Sequence, residues 1–234
     1  MTRRRSFPVM GTVATVTTPD AAIDTITATA RAILEDADAR FSPYRHDSEL
    51  SRLRRHPGRE LSADLRTVRD RCAELEQATA GAFRPLDPTG RWDPTGYVKG
   101  WAMAQVERAL RSSGHPDWML GVGGDVVTAG GPDAQRPWHV AVQHPVLPGA
   151  VAEVLAAHDG AVATSGDYER GAHVWGKHRR VRGGSVTVVG PDIAVADALA
   201  TALWSHGEPD PAWWARFPAY GALWLDETGG RRAA

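Results

Sequence analysis

Residues 81 to 100 read GAFRPLDPTGRWDPTGYVKG, with four glycines, three prolines, two aspartates and one lysine set between two helical patterns. Ordering a loop this rich in turn residues is costly unless it builds something. Asp-Pro-Thr-Gly occurs twice, at Asp87 to Gly90 and at Asp93 to Gly96, and only the second copy runs into Tyr97-Val-Lys-Gly100 and an apolar helix. A carboxylate, a carbonyl at a glycine turn, a lysine and a helix N-terminus together suit phosphate and a metal ion. The same residues also suit a Pro/Gly connector that carries a solvated lysine.

Composition narrows the classes. The 234 residues are enough for one large domain or two small ones, and nine tryptophans fit a sizeable core. A net charge of −1 gives no electrostatic case for nucleic acid. The single cysteine, Cys72, excludes an internal disulfide and a cysteine-based metal cluster. No run is long and apolar enough for a transmembrane segment. Met1 to Pro8 is basic with no apolar stretch behind it, a poor signal peptide, so the expected compartment is cytoplasmic.

Along the chain, alternation from Val9 to Thr18 predicts a first strand. Asp20 then caps a helix carrying Ile23, Ile26, Ala30, Ile33 and Leu34. Asp47 or Ser48 caps a short helix, and Ser62 opens a long one with Leu65, Val68, Cys72 and Leu75 inward and Gly81 as its stop. Lys99 to Ser113 is a third helix. Gly121, Gly123 and Gly124 invite a dinucleotide reading, but a strand comes after them where that fingerprint needs a helix. Strands are expected at 118–125, 126–129, 138–142, 152–157, 185–189 and 220–225, and 160–170 is a short apolar strand that breaks into polar residues, with a last helix from Ile193 to Ser205. The pattern predicts a single α+β domain over 1–234, with a mixed or antiparallel sheet and helices packed against it.

Several pieces line up in order: Met10-Gly-Thr12, Phe41-Ser-x-Tyr44 with Ser48 to Leu53, Gly81-Ala-Phe83, Gly96 to Gly100, Gly121 to Asp125, Thr164-Ser-Gly-Asp-Tyr-Glu169 and Val195 to Leu203. The set resembles the ApbE family, the FAD:protein FMN transferases, over Met10 to about Leu225. The resemblance implies a T-fold-related architecture and a flavin transferase that uses FAD and magnesium. Such an enzyme moves FMN onto a threonine or serine hydroxyl of an acceptor protein and releases AMP.

By the same resemblance, Met10, Tyr44, Ala82, Phe83, Arg84, Asp93, Lys99, Ser165, Gly166 and His173 hold FAD. Gly96, through its carbonyl, with Asp197 and Thr201 holds the metal. Asp197 and Thr201 are four apart on a helix, so their oxygens leave one face. Without the family pattern they read as ordinary polarity on an alanine-rich helix. Tyr44 and Phe83 offer flat faces for stacking or are plain core. Lys99 and the metal would offset diphosphate charge, with Asp167 at the reacting site. His173 is either the base for the incoming hydroxyl or a surface histidine, and His178 is its competitor.

Two departures stand out. After His173 the family commonly continues Asp-Pro-x-Thr-Gly, whereas this chain has Trp175-Gly-Lys-His178. Arg84 stands where an acid or amide often comes after Gly-Ala-Phe. An FAD diphosphatase and a non-catalytic FAD-binding protein are the alternatives to transfer.

Overall fold

A computed structural model describes residues 1–166, 184–207, 210–228 and 230–234. The chain opens with a hairpin, β1 (Arg3–Val9) and β2 (Thr12–Thr18), in the register Phe7↔Ala14 and Val9↔Thr12. The sequence pattern predicts one strand from Val9 to Thr18. Instead the chain reverses at Met10 and Gly11, whose φ angles are +52° and +72°. Two consecutive positive φ values are what a two-residue hairpin turn requires. Arg3 to Arg5 hide β1 from a hydrophobicity reading, because only Phe7 and Val9 of that strand are buried.

Helix α1 (Ile23–Phe41) comes next and buries Ile23, Ile26, Ala30, Leu34, Ala37 and Phe41 at helical spacing. Asp20 does not occupy the cap position itself. It accepts the Ala22 N–H at 2.7 Å and pairs with His115 at 3.0 Å. Ser48 caps α2 (Glu49–Arg55), accepting the Ser51 N–H at 3.0 Å. Ser62 caps α3 (Ala63–Ala78), accepting the Leu65 N–H at 3.2 Å. Past α3, Ala80 and Gly81 both take positive φ and end the helix.

The two Asp-Pro-Thr-Gly copies fold differently. In the first, Asp87 accepts from the Thr89 N–H and hydroxyl and from the Arg91 N–H and Nε, closing a small loop. The Thr89 hydroxyl and Arg91 hold its carboxyl well below the usual carboxylate range. In the second, Asp93 accepts the Thr95 N–H at 3.1 Å, and α4 (Thr95–Ser112) starts there. The helix therefore begins four residues earlier than the pattern from Lys99 predicts. Pro94 just before the first turn is compatible with that start, since it has no N–H to leave unsatisfied. Gly96 and Lys99 are thus one turn apart on the same helix.

Strands β3 (Trp118–Val122) and β4 (Asp125–Ala129) form a hairpin about Gly123 and Gly124, so these glycines join two strands. β5 (Trp138–Gln143) and β6 (Val151–Ala157) make a separate two-stranded ribbon. β7 (Gly160–Gly166), β8 (Ser185–Gly190), β9 (Gly221–Leu225) and the short β10 (Arg231–Ala233) complete the main sheet. Its order is β1-β2-β3-β4-β7-β8-β9-β10, with every neighbouring pair antiparallel. The fold is α+β with an antiparallel sheet and packed helices.

Helix α5 (Ile193–His206) packs on β7 and β8 and against α4, while α1 lies on α4 and on β1. A last short helix, α6 (Pro211–Trp214), precedes β9. Ten of the residues of α5 are buried, on nearly all sides of the helix, because sheet and α4 enclose it together. The crossing is close. A Cβ on Gly100 would stand 2.6 Å from the Ile193 carbonyl oxygen and 2.9 Å from the Asp197 Cβ. Glycine on α4 and alanines on α5 let two backbones approach, and this approach positions the site.

Candidate active site

The ends of α4, β4, β7 and α5 meet beneath a cleft of about 1040 Å³. Its wall includes the Met10–Gly11 turn, the 82–86 stretch, the first turns of α4, the Gly123–Gly124 turn and residues 140–143 of β5. Met10, Tyr44, Ala82, Phe83, Arg84, Asp93, Gly96, Lys99, Ser165, Gly166, Asp197 and Thr201 all line it. Residues from both ends of the sequence, Met10 and Thr201 among them, are thereby brought to one cavity. Asp167, His173 and His178 lie outside the described residues.

The floor is an ion-pair cluster. Lys99 Nζ is 2.7 Å from Asp125 Oδ2 and 3.8 Å from Asp197 Oδ1. All three side chains are buried, Asp125 completely. An ammonium and carboxylates taken from water must be paired to be tolerated. Asp125 Oδ1 accepts the Thr164 N–H at 3.1 Å, which ties β4 to β7. Asp197 Oδ2 accepts the Gly100 N–H at 3.0 Å. In a regular helix that N–H is directed at the Gly96 carbonyl. Burial also answers the question of a solvated lysine: Lys99 is enclosed.

Asp197 and Thr201 leave α5 one turn apart and face the start of α4. A Cβ on Gly96 would lie 3.1 Å from Thr201 Cγ2 and 3.3 Å from Thr201 Oγ1, so glycine is what permits this contact. The donors gathered here are a carboxylate, a hydroxyl and a helix-start carbonyl. All are hard oxygens, a set suited to magnesium, which retains waters and substrate phosphate. Among the described residues no group of three or more His, Cys, Asp or Glu side chains forms a denser cage. The residues fit a magnesium ion.

The two aromatic candidates differ. Phe83 is core, in contact range of Gly96, and its N–H donates to Thr79 Oγ1 at 2.9 Å. Tyr44 is 80% exposed at the cleft and presents an open face. Met10 holds a left-handed backbone that residues with side chains seldom adopt, and it does so at the cleft wall. Arg54 pairs with Asp93 at 3.6 Å and donates to the Trp92 carbonyl at 3.1 Å, holding the central loop on α2.

Sequence reasoning missed three contributors: Asp125, Arg54 and the β5 wall. Asp125 had a signal. It is an acid in the inward register of Asp125, Val127 and Ala129, where alternation calls for an apolar residue. Arg54 is one of several arginines between Arg52 and Arg59 in the sequence, and nothing local links it to Asp93.

A profile of the ApbE family matches residues 10–90 and 86–224. The chain belongs to the ApbE family. The FAD:protein FMN transferase of Vibrio cholerae serotype O1 is 29% identical over 239 residues, covering 75% of this chain and 72% of that protein. The FAD:protein FMN transferase of Rhodobacter capsulatus is 35% identical over 152 residues, 60% of this chain and 28% of that longer protein. Among solved structures, the ApbE protein of Thermotoga maritima superposes with a TM-score of 0.84 at 21% identity, covering 100% of this chain and 97% of that one. The flavin transferase ApbE of Vibrio cholerae gives 0.79 at 24% identity, covering 100% and 96%. These superpositions carry the fold, and they show it to be that of ApbE proteins.

Proposed function

We propose that this chain is an FAD:protein FMN transferase, acting in the cytoplasm with magnesium on a threonine or serine of an acceptor protein. The observation that carries the reading is the union, in one cleft, of the buried Lys99 and Asp197 with Thr201, Gly96 and those proposed FAD-holding residues that the structure describes. The names of two curated relatives, each an FAD:protein FMN transferase, support it.

In this reading the acceptor hydroxyl oxygen attacks the phosphorus on the FMN side of the diphosphate. The bond from that phosphorus to the bridging oxygen breaks, and AMP leaves with the electron pair. The hydroxyl proton passes to a base, proposed as His173. Met10, Tyr44, Ala82, Phe83, Arg84, Asp93, Ser165 and Gly166 bind and orient FAD. Lys99 contributes positive charge from beneath the cleft, held in place before substrate arrives, which is the arrangement that favours a developing anion. Asp197, Thr201 and the Gly96 carbonyl would hold magnesium, which when bound withdraws charge from the diphosphate. Asp167 is proposed for the reacting site on the family pattern alone.

The test pairs two single variants. Asp197→Ala should abolish magnesium-dependent FAD consumption with the fold retained. His173→Ala should keep FAD affinity, read by flavin fluorescence, and lose transfer by roughly a hundred- to ten-thousand-fold. Normal transfer by His173→Ala with loss in His178→Ala would move the base to His178. Full magnesium-dependent activity in Asp197→Ala would refute the metal assignment.

A further inference from the structure

Among the described residues, two carboxylates stand beside one ammonium under the cleft. Asp125 has no part in the proposed transfer reaction, yet it is completely buried and touches Lys99 more closely than Asp197 does. At 2.7 Å Asp125 makes a close ion pair with Lys99, whereas Asp197 at 3.8 Å stands farther off. Asp125 itself is fixed. It comes directly after the Gly123–Gly124 turn, and its other oxygen accepts the Thr164 N–H.

The geometry points to Asp125 as a positioning residue that holds the Lys99 ammonium off Asp197, so that Asp197 can serve a divalent cation. This rests on the metal role proposed for Asp197. Lysine carries its charge on a flexible four-carbon stem, so a shift of about 1 Å is within its reach. Once Asp125 is uncharged, Asp197 is the described carboxylate that already stands beside the ammonium. An ammonium settled on Asp197 Oδ1 competes with a metal ion for the same oxygen. Asp125 thus separates two cations that both belong at the diphosphate.

A purely structural Asp125, there only to neutralise a buried lysine, makes a different forecast. Mn²⁺ is the probe, its binding read from the electron paramagnetic resonance signal of the free ion, with thermal melts run alongside. Asp125→Asn should weaken Mn²⁺ binding about tenfold or more, the usual scale for partners that orient a ligand. The double variant Asp125→Asn/Lys99→Met removes the competitor and should return the affinity to within about threefold of wild type. Removing a buried pair together is also better tolerated than removing one member, so the double variant guards against a misfolded single one. Unchanged Mn²⁺ affinity in Asp125→Asn, or a double variant as weak as the single, overturns the inference. If Asp197→Ala binds Mn²⁺ as wild type does, the metal assignment itself fails. If Asp197→Ala loses Mn²⁺ while Asp125→Asn keeps it, the assignment stands and the positioning role alone falls.

Discussion

Gly100→Ala tests whether the α4–α5 crossing sets the site. In an exposed helix this change stabilises by about 1 kcal/mol, because glycine is the poorer helix former. Here the new Cβ would sit 2.6 Å from the Ile193 carbonyl oxygen, 2.7 Å from the Ala194 Cα and 2.9 Å from the Asp197 Cβ. Two of these atoms are backbone and cannot swing aside. Reaching ordinary contact near 3.5 Å means that the helices separate by about 1 Å. Overpacking of this kind costs about 1–3 kcal/mol. Set against the gain in propensity, the net is a loss of up to about 2 kcal/mol, or a fall in Tm of up to roughly 8 °C for a chain of this size. Separation also stretches the 3.0 Å bond from the Gly100 N–H to Asp197 Oδ2, so Mn²⁺ binding should weaken in the same variant. Thermal melts and Mn²⁺ titration read the two effects. A Tm raised by the propensity gain, with Mn²⁺ affinity intact, would refute the packing argument.

Lys99→Met strips the ammonium from the fully buried Asp125 and should cost about 3–5 kcal/mol in urea unfolding, while Asp125→Asn/Lys99→Met costs much less; equal midpoints for the two would contradict the pairing. Burial pushes the Cys72 thiol up to about 12, so a thiol reagent at pH 8 should label it only as the chain unfolds, and rapid labelling of the native protein would contradict its placement in the core. The Asp87 carboxyl is held low by Thr89 and Arg91, so its contribution to stability is present above the unfolded value near pH 4 and is lost as pH falls through the depressed folded value. The gap in urea midpoint between wild type and Asp87→Ala should therefore be widest near neutrality and close in acid; a gap that widens in acid would reverse the sign.

Much of the fold is legible locally. The capping serines Ser48 and Ser62 and the inward set Leu65, Val68, Cys72 and Leu75 are short-range signals, and the structure uses them as they read. The misses have physical causes. β1 carries three arginines on an edge strand, so its hydrophobicity is too low to register. α4 starts at Thr95, where Asp93 accepts the Thr95 N–H across a proline, inside a stretch whose composition reads as loop. The two Asp-Pro-Thr-Gly copies make the limit plain. Identical tetrapeptides become a closed loop and a helix start, and the residues downstream decide which: Arg91 folds back onto Asp87, whereas Tyr97 to Gly100 form the buried first turns of the helix that Asp93 precedes. At the site, Asp197 and Thr201 are legible as a helical pair, but the pairing of Lys99 with Asp125 depends on a strand register that no local pattern contains.

The central claim is that the cleft carries out FMN transfer to a protein hydroxyl. The most direct measurement incubates the purified chain with FAD, magnesium and a candidate acceptor flavoprotein, then weighs the acceptor by intact-mass spectrometry and counts AMP. The account predicts an acceptor heavier by FMN less water, one AMP per flavin attached, and neither product with Asp197→Ala. Free FMN and AMP with an unmodified acceptor would mean that water takes the acceptor's place, and intact FAD would mean that the cleft binds without reacting; either result, across acceptors bearing the appropriate threonine or serine, contradicts the claim.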